Sequence, residues 1–241
     1  MNDIELWYGN CLELMKDIPD KSIDMILCDL PYGTTQCSWD TVIPFEPLWE
    51  QYKRIIKSSG VICLFGSEPF SSALRLSNLK MYKYDWIWQK SKATGFLNAK
   101  KQPLRAYETI SVFYQKQGTY NPQFTNGIPY NKGERKQQTN NDVYGKYNQA
   151  VIKSDGKRYP KNVIYFKTAE SEGTTYHKTQ KPVPLCEYLI KTYTNKNETV
   201  LDNCMGSGST GVACKNLNRK FIGIELDDTY FEIAKERIEK A

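Results

Sequence analysis

A strand, a carboxylate and a tight corner follow one another between Ser22 and Gly33. The run Ile23–Cys28 is mostly apolar and is bounded by turn-forming residues, which is typical of a strand buried in a parallel sheet. Asp29 follows directly, and the corner Leu30-Pro31-Tyr32-Gly33 comes next. Open α/β sheets bind ligands outside the carboxyl ends of their strands. We therefore expect this carboxylate to lie in a ligand-binding crevice.

The residues of this corner suit the recognition of an aromatic amine. The Asp29 carboxylate can accept a hydrogen bond from an exocyclic NH2 group, and the Leu30 carbonyl, held by the fixed φ of Pro31, can accept from the second N–H. The Tyr32 ring can stack on a heterocycle, because every nucleic-acid base has a π-face. A strand that ends in an Asp-x-Pro turn is also common without any function, so a second motif is needed to choose.

A second motif lies near the carboxyl end of the chain. Thr199–Asp202 predicts a strand, and the pattern Gly206-x-Gly208-x-x-Gly211 predicts a glycine turn that opens a helix. Lys220–Glu225 predicts another strand, and Glu225 lies 19 residues after Gly206, in register to bind the hydroxyls of a ribose. Together these features favour a nucleoside cofactor over a purely structural turn. On this motif alone, NAD and S-adenosylmethionine both remain open.

Basic charge is concentrated in the middle of the chain. The segment 80–168 holds 17 Lys and Arg against 5 Asp and Glu, whereas the remainder holds 16 against 22. The same segment holds 16 of the 31 aromatic residues. Cations match phosphates, and aromatic and amide side chains match bases, so this composition predicts a nucleic-acid surface.

The remaining composition narrows the class of protein. A chain of 241 residues with 40% hydrophobic content predicts one large α/β domain, or one domain with an insertion. We expect neither a membrane span nor a signal peptide, since the sequence has no run of 18 or more apolar residues and starts without a basic, then apolar, segment. Seven scattered cysteines and a single histidine predict free thiols in a reducing cytoplasm and no metal site.

Further elements must position the two motifs. Besides the strands above, we predict strands at Ile4–Tyr8, Val61–Phe65, Tyr82–Gln89 and Glu108–Tyr114. We predict a short helix marked by Leu12, Met15 and Ile18, a helix at Phe45–Lys57 closed by Gly60, one from a Ser67 cap to Leu79, one at Val183–Thr194, and a last one capped by Asp227 or Asp228. Lys90–Leu104 predicts a basic loop, and Gly118–Ala150, which nearly lacks aliphatic residues, predicts a long functional loop or a partly disordered insertion.

The motifs together resemble a known family. DLPY at 29–32 resembles the DPPY motif of amino-methylating DNA methyltransferases, and VLDNCMGSGSTG at 200–211 resembles their S-adenosylmethionine loop. HKTQKP at 177–182 resembles the HPTQKP box that precedes this loop. The catalytic motif comes before the cofactor motif, which is the circularly permuted order of the β group of adenine-N6 and cytosine-N4 methylases.

The resemblance implies a fold and a reaction. The fold is α/β, with the doubly wound, mostly parallel sheet of Rossmann-like S-adenosylmethionine-dependent methyltransferases and an inserted basic recognition region. The reaction is site-specific transfer of a methyl group from S-adenosyl-L-methionine to the N6 amine of a flipped-out adenine in double-stranded DNA. Adenine is favoured because an Asp at the head of the motif is commoner in the adenine enzymes of the family. The segments implied are a catalytic half (1–89), a target-recognition region (90–168) and a cofactor-binding half (169–241).

The resemblance also assigns site residues. The catalytic residues are Asp29, Leu30, Pro31 and Tyr32. The residues that bind the cofactor are Asn10, Cys11, Asp29, Gln180, Lys181, Asp202, Cys204, Gly206, Ser207, Gly208, Ser209, Thr210, Glu225 and Leu226. From the basic middle of the chain, the candidates for DNA contact are Lys92, Lys100, Lys101, Arg105, Lys132, Arg135 and Lys136.

Several departures from the family pattern leave alternatives open. Leu30 replaces the first proline of the motif, Asn203 and Cys204 replace Pro-Phe in the cofactor loop, and Asn10 stands where the family often has Asp. A cytosine-N4 DNA methyltransferase, an NAD-type oxidoreductase and a non-catalytic DNA-binding module are the competing hypotheses. The sequence leaves open the target sequence, a homodimer, and whether the chain pairs with a nuclease in restriction-modification.

Overall fold

A computed structural model describes residues 3–33, 40–134, 151–173, 175–176 and 179–241. The strands in these ranges are β1 (Ile4–Tyr8), β2 (Ile23–Cys28), β3 (Ile56–Gly66), β4 (Tyr82–Thr94), β5 (Arg105–Phe113), β6 (Thr125–Asn126), β7 (Tyr130–Glu134), β8 (Val151–Ser154), β9 (Lys157–Arg158), β10 (Val163–Phe166), β11 (Thr199–Asp202) and β12 (Lys220–Glu225). The helices are α1 (Cys11–Leu14), α2 (Phe45–Ile55), α3 (Phe70–Ser77), α4 (Val183–Tyr193), α5 (Ser209–Asn216) and α6 (Asp228–Lys240). Within these ranges, no helix is long and apolar enough to cross a bilayer.

Eight strands form one sheet, in the order β1-β12-β11-β2-β3-β5-β4-β10. Neighbouring strands run parallel except at β5, which is antiparallel to both β3 and β4. The predicted mostly parallel sheet is therefore confirmed. Because β4 runs in the same direction as β3, the turn from β4 into β5 lies at the edge where the parallel strands end.

Helices cover both faces of this sheet, as a doubly wound fold requires. Successive residues of a strand point to opposite faces, and in β2 Met25 and Leu27 belong to one apolar cluster whereas Ile26 and Cys28 belong to the other. The first cluster includes residues of α4, α5 and α6, and the second includes residues of α1, α2 and α3. Burial of each leucine- or isoleucine-sized side chain contributes about 1.5–3 kcal/mol, so the two layers together fix the sheet.

Residues Pro122–Lys161 form a second compact unit, separate from the unit that comprises 1–121 and 162–241. In its described part, β6 pairs with β9 and β7 pairs with β8. Ring contacts take the place of an aliphatic core: the centroids of Phe124 and Tyr159 lie 4.8 Å apart, and the Arg158 guanidinium lies 5.0 Å from the centre of the Tyr130 ring. The predicted recognition region 90–168 thus includes this unit and also strands of the large sheet.

Helix α2 ends at Ile55, two residues earlier than predicted, and Gly60 does not close it. Gly60 is a residue of β3. The chain passes directly from Ile55 into β3 at Ile56, whose backbone is extended. A Cβ atom on Gly60 would lie 2.7 Å from the Ile56 side chain and 2.9 Å from the Asp24 carbonyl oxygen. The glycine therefore allows a close approach within the sheet and does not end the helix.

Three other predicted boundaries are wrong. Helix α3 begins after Pro69, not after a Ser67 cap, and the Glu68 carboxylate accepts from the Ser72 N–H at 3.1 Å in its first turn. The predicted short amphipathic helix is only the single turn α1, followed by a 3-10 turn. Strand β4 continues to Thr94 through residues predicted to be a loop, because its end pairs with Arg105 of β5.

Candidate active site

The two predicted motifs lie on one cavity. Strands β1, β12, β11 and β2 are parallel neighbours, so their carboxyl ends share one edge of the sheet. A cavity of about 550 Å³ lies at this edge, and its lining includes both Asp29, directly after β2, and Gly206, in the turn after β11. This volume falls in the range of small-molecule and cofactor sites.

Asp29 has a partner on each of its carboxylate oxygens. The Tyr32 hydroxyl donates to Oδ1 at 2.6 Å, and the Lys181 ammonium pairs with Oδ2. Burial raises the pKa of Asp29 above its ordinary value, and the Lys181 charge opposes this rise. One side of the Tyr32 ring stacks on Phe70, with centroids 4.9 Å apart. The corner therefore presents an oriented carboxylate beside a supported aromatic ring.

At Gly206, the backbone of the glycine turn faces the cavity without a covering side chain. Gly206 has a φ of +51°, and a Cβ atom there would meet nothing within 4 Å, so a side chain would project into open space. Its N–H donates to Glu225 Oε2 at 2.7 Å, and Glu225 Oε1 accepts from Leu226 and Asp227 at 2.9 Å each. Burial raises the pKa of Glu225. These backbone donors fix the orientation of the carboxylate, which retains further lone pairs for a ligand.

Two buried polar groups of the lining, Asp202 and Ser209, can bind a polar ligand. Asp202 is 4% exposed, accepts from the Cys204 N–H at 3.2 Å, and has its pKa raised to about 7 by burial. Ser209 Oγ is buried and has no hydrogen-bond partner within the described ranges. Such groups are destabilising unless something satisfies them. With Gly206, they fit a nucleoside cofactor that brings polar atoms into the cavity.

Nearly all of the residues assigned to catalysis and cofactor binding line this cavity. They are Asn10, Cys11, Asp29, Leu30, Pro31, Tyr32, Gln180, Lys181, Asp202, Cys204, Gly206, Ser207, Ser209, Thr210, Glu225 and Leu226. Gly208 does not: it begins α5 with a φ of +79°, and a Cβ atom on it would lie 3.0 Å from the Ala234 side chain. Its role in the structure is to let α5 approach α6. His177 lies outside the described residues.

Sequence analysis missed seven polar residues of the lining: Asp40, Thr41, Glu108, Thr179, Asn203, Asp227 and Tyr230. Glu108 lies on β5 and pairs with Lys90, and its second oxygen lies 3.6 Å from the Lys181 ammonium. Asn203 accepts a hydrogen bond of 2.5 Å from the buried Tyr52 hydroxyl. An acid in the basic middle of the chain, at the start of an apolar strand, was the one available signal for Glu108.

Cysteines form part of the wall. Cys11 and Cys204 line the cavity, and Cys28 is buried beside them in the same apolar cluster. A hydrogen bond with Cys204 lowers the pKa of Cys11 to about 7, although burial opposes this. Burial raises the pKa of Cys28 to about 12. Cys11 is therefore the more acidic of these two thiols.

Four of the basic candidates for DNA contact, Lys92, Lys100, Lys101 and Arg105, do not line the cavity. Lys92 is exposed and pairs with Glu170 at 3.1 Å, and Arg105 donates to Ser67 Oγ at 2.6 Å. Lys100 and Lys101 are exposed in the turn between β4 and β5. In the small unit, the Lys132 ammonium lies 5.4 Å from the centre of the Tyr130 ring. Arg135 and Lys136 lie outside the described residues.

Comparison with known proteins agrees with this geometry. A family model described as a DNA methylase, for the N6 and N4 enzymes, matches residues 23–236. The chain is 30% identical over 255 residues to the Type II methyltransferase M.HpaI of Haemophilus parainfluenzae, an alignment that covers 98% of this chain and 74% of that one. It is 28% identical over 240 residues to the Type II methyltransferase M1.MboII of Moraxella bovis, covering 92% and 91%.

Solved structures give the same assignment. The crystal structure of the M1.HpyAVI–SAM complex superposes with a TM-score of 0.68 at 26% identity, over 98% of both chains. The cytosine-N4-specific PvuII DNA methyltransferase superposes with a TM-score of 0.70 at 14% identity, over 98% of this chain and 86% of that one, and shows the fold alone. The chain therefore belongs to the N6/N4 DNA methylase family, and its cofactor is S-adenosylmethionine.

Proposed function

We propose that this DNA methyltransferase methylates the exocyclic N6 amine of adenine. The observation that carries the proposal is the shared cavity: a buried carboxylate after β2 and a bare glycine turn after β11 line the same space. One can hold an amine while the other holds a nucleoside cofactor. Much of the rate then comes from positioning, since two reactants held in line react as one molecule.

The side chains of the corner orient the target base. The amine of a paired base is out of reach in a duplex, so the base is flipped out at a cost of about a few kcal/mol. Asp29 accepts from the amine N–H, and the Tyr32 hydroxyl at 2.6 Å keeps the carboxylate in place. S-adenosylmethionine, when bound, supplies an electrophilic methyl group. Asp202 and Glu225, whose carboxylates line the cavity, would hold its polar groups.

The choice of adenine rests on the head of the motif. Asp29 stands where adenine enzymes of the family more often have Asp and cytosine-N4 enzymes more often have Ser. Both bases carry an exocyclic amine that can donate to a carboxylate, so the cavity accommodates either in chemical terms. Adenine-N6 methylation is the proposal, and cytosine-N4 methylation is the outcome that would replace it.

The turn between β4 and β5 supports DNA as the partner. Lys100, Lys101 and Arg105 are exposed there, and the 3-10 turn between the strands exposes 81% of Phe96 and 99% of Leu97. Cations attract the phosphate backbone, and exposed apolar or aromatic side chains can contact bases. Because this turn lies at the edge of the sheet where the parallel strands end, DNA bound to it would meet the cavity.

Mass spectrometry of nucleosides tests the reaction and the base together. Unmethylated DNA amplified in vitro, incubated with the protein and S-adenosylmethionine, is expected to yield N6-methyldeoxyadenosine. Asp29→Ala should abolish the product while cofactor affinity persists, and Asp17→Ala, an exposed control that does not line the cavity, should behave as the wild type. N4-methyldeoxycytidine would contradict the choice of adenine, and wild-type turnover by Asp29→Ala would contradict the role of the carboxylate.

A further inference from the structure

A row of four charges with little exposure to solvent ends on Asp29, whose side chain is 23% exposed. Lys90 pairs with Glu108 Oε1, and the Lys181 ammonium lies between Glu108 Oε2 and Asp29 Oδ2. The side chains of Lys90, Glu108 and Lys181 are 10%, 13% and 8% exposed. Buried charges are tolerated only when they are matched. Two ammonium groups and two carboxylates balance here, so the row is neutral as a whole.

Lys181 is shared unequally between its two carboxylates. It is in hydrogen-bond contact with Asp29, whereas Glu108 Oε2 lies 3.6 Å away. That oxygen is buried and has no hydrogen-bond partner in the part of the chain that the structure describes. A buried acceptor without a donor is unfavourable, and this one lies beside the ammonium, so Glu108 Oε2 offers Lys181 a second position.

We propose that Lys181 holds the place of the target amine on Asp29 and moves to Glu108 Oε2 when the base enters. This inference rests on the proposed function of Asp29. An ammonium and an amine both donate N–H groups, so they compete for the same carboxylate oxygen. The Tyr32 hydroxyl remains on the other oxygen, and the shift leaves the net charge of the row unchanged. Lys181 and Glu108 are thus positioning residues: Lys181 favours the ionised form of Asp29, and Glu108 receives the ammonium when the base enters.

The charges around Asp29 determine the direction in which the pKa of Asp29 shifts when one of them is removed. The groups that face Asp29 are Tyr32, Lys181, Glu108, Cys28 and Asp202. Among them Lys181 lowers the pKa of Asp29 and Glu108 raises it. Activity requires the carboxylate, so kcat/KM falls on the acidic side as Asp29 takes up a proton in the free enzyme.

The pH dependence of kcat/KM tests the proposal with three variants on in vitro amplified DNA. Lys181→Met should move the acidic limb to higher pH, and Glu108→Gln should move it to lower pH, each by about one pH unit or more. Lys181→Arg, which keeps the charge, should leave the limb near that of the wild type. Glu108→Gln should also raise KM for DNA more than it lowers kcat, since the ammonium then stays on Asp29. Cofactor affinity should persist in Glu108→Gln.

A matched control separates this role from the loss of any ion pair. Lys57 pairs with Asp24 at 2.6 Å, near the start of β2, and does not line the cavity, so Lys57→Met should leave the limb in place. An Asp29→Asn variant that methylates DNA as fast as the wild type would overturn the role of the Asp29 carboxylate, whereas a wild type that forms no N6-methyldeoxyadenosine would overturn the proposed function. If Asp29→Asn is inactive but the limbs of Lys181→Met and Glu108→Gln are unmoved, or move in the same direction, the placeholder role is wrong. If Lys181→Met fails to bind cofactor, the test relies on Glu108→Gln alone. A shift of its acidic limb to lower pH supports the proposal, and no shift or a shift to higher pH contradicts it.

Discussion

The cavity and the turn between β4 and β5 use charge in opposite ways. In the cavity, the carboxylates of Asp29, Asp202 and Glu225 are wholly or partly buried, and each is held by an ammonium or by backbone N–H groups. In the turn, Lys100 and Lys101 are exposed to solvent. Buried charges are sensitive to geometry and pH, whereas exposed charges are screened by salt. On the proposed function, the cavity positions the reactants and the turn attracts the polyanion.

Removing the exposed basic charge of the turn between β4 and β5 should have the largest effect on DNA binding. The triple variant Lys100→Ala, Lys101→Ala, Arg105→Ala should lose about a hundredfold or more of its DNA affinity at low salt, because three phosphate contacts vanish. The slope of log affinity against log salt should become shallower by about 2.7. Cofactor affinity should not change.

Filter binding or fluorescence anisotropy at several salt concentrations measures both quantities. A triple alanine variant of Lys80, Lys196 and Lys235, three exposed lysines elsewhere, is the matched control. Equal slopes for the two triple variants would show that the turn has no special part in DNA binding.

A side chain at the glycine turn should affect the cavity alone. Gly206→Leu should weaken S-adenosylmethionine binding at least about tenfold, because the new side chain would project into the cavity from a backbone with φ of +51°. DNA affinity at low salt should stay close to that of the wild type. Isothermal titration with S-adenosylmethionine measures the loss.

Gly133 provides the control for backbone strain. It has a φ of +68°, meets nothing within 4 Å of an added Cβ, and does not line the cavity. Gly133→Leu should therefore keep wild-type cofactor affinity although its backbone is strained to a similar degree. An equal loss in both variants would mean that strain, and not the filled cavity, weakens binding.

The buried carboxyl of Asp202 should give the cavity a dependence on pH that the exposed turn lacks. Its pKa in the folded protein is raised to about 7, above the ordinary value of 3.8, so its favourable contribution is present at acidic pH and is lost as pH rises toward 7. The side chain of Asp202→Asn cannot ionise, so the variant does not lose this stability. The difference in the free energy of unfolding, variant minus wild type, should therefore rise by about 1.4 kcal/mol per pH unit between about pH 5 and pH 6. Denaturant unfolding without cofactor measures this slope, and parallel curves would show that Asp202 is not the titrating group.

The smallest expected effect concerns thiol chemistry. Cys11 lines the cavity with a pKa of about 7, so iodoacetamide at neutral pH should label it before the fully buried Cys63 and Cys214. S-adenosylmethionine should slow this labelling. Peptide mass spectrometry follows each site, and faster labelling of Cys214 would contradict the assignment.

The sequence was sufficient where a short apolar run was closed by turn residues. The bounds of β1, β2, β11 and β12 agree with the prediction. β2 and β11 are buried almost throughout, as expected for central parallel strands, whereas the edge strand β1 is only partly buried. The same strands carry Asp29, Asp202 and Glu225 at or beyond their ends, so most of the cavity lining could be listed in advance.

The sequence was insufficient where a contact joins distant parts of the chain. Glu108 and Lys181 meet only because β5 and the residues before α4 both reach the cavity, and no spacing rule relates them. Gly60 looks like a helix terminator, and only the packing of Ile56 and Asp24 against it shows otherwise. Similarly, the basic residues that end β4 have little preference for a strand, and pairing with β5 imposes it.

The single reversed strand has a consequence for how such an enzyme can vary. Pairing with β4 fixes β5 in continuous register from Tyr107 onward, and Glu108 with it, and β3 joins from Thr109. The ten residues 95–104 before β5 are free of the sheet. On the proposed function, insertions, deletions or substitutions there would change the contact with DNA while the pairing of β5, which carries Glu108, is retained. Specificity and reactivity could then diverge independently within one continuous stretch of chain.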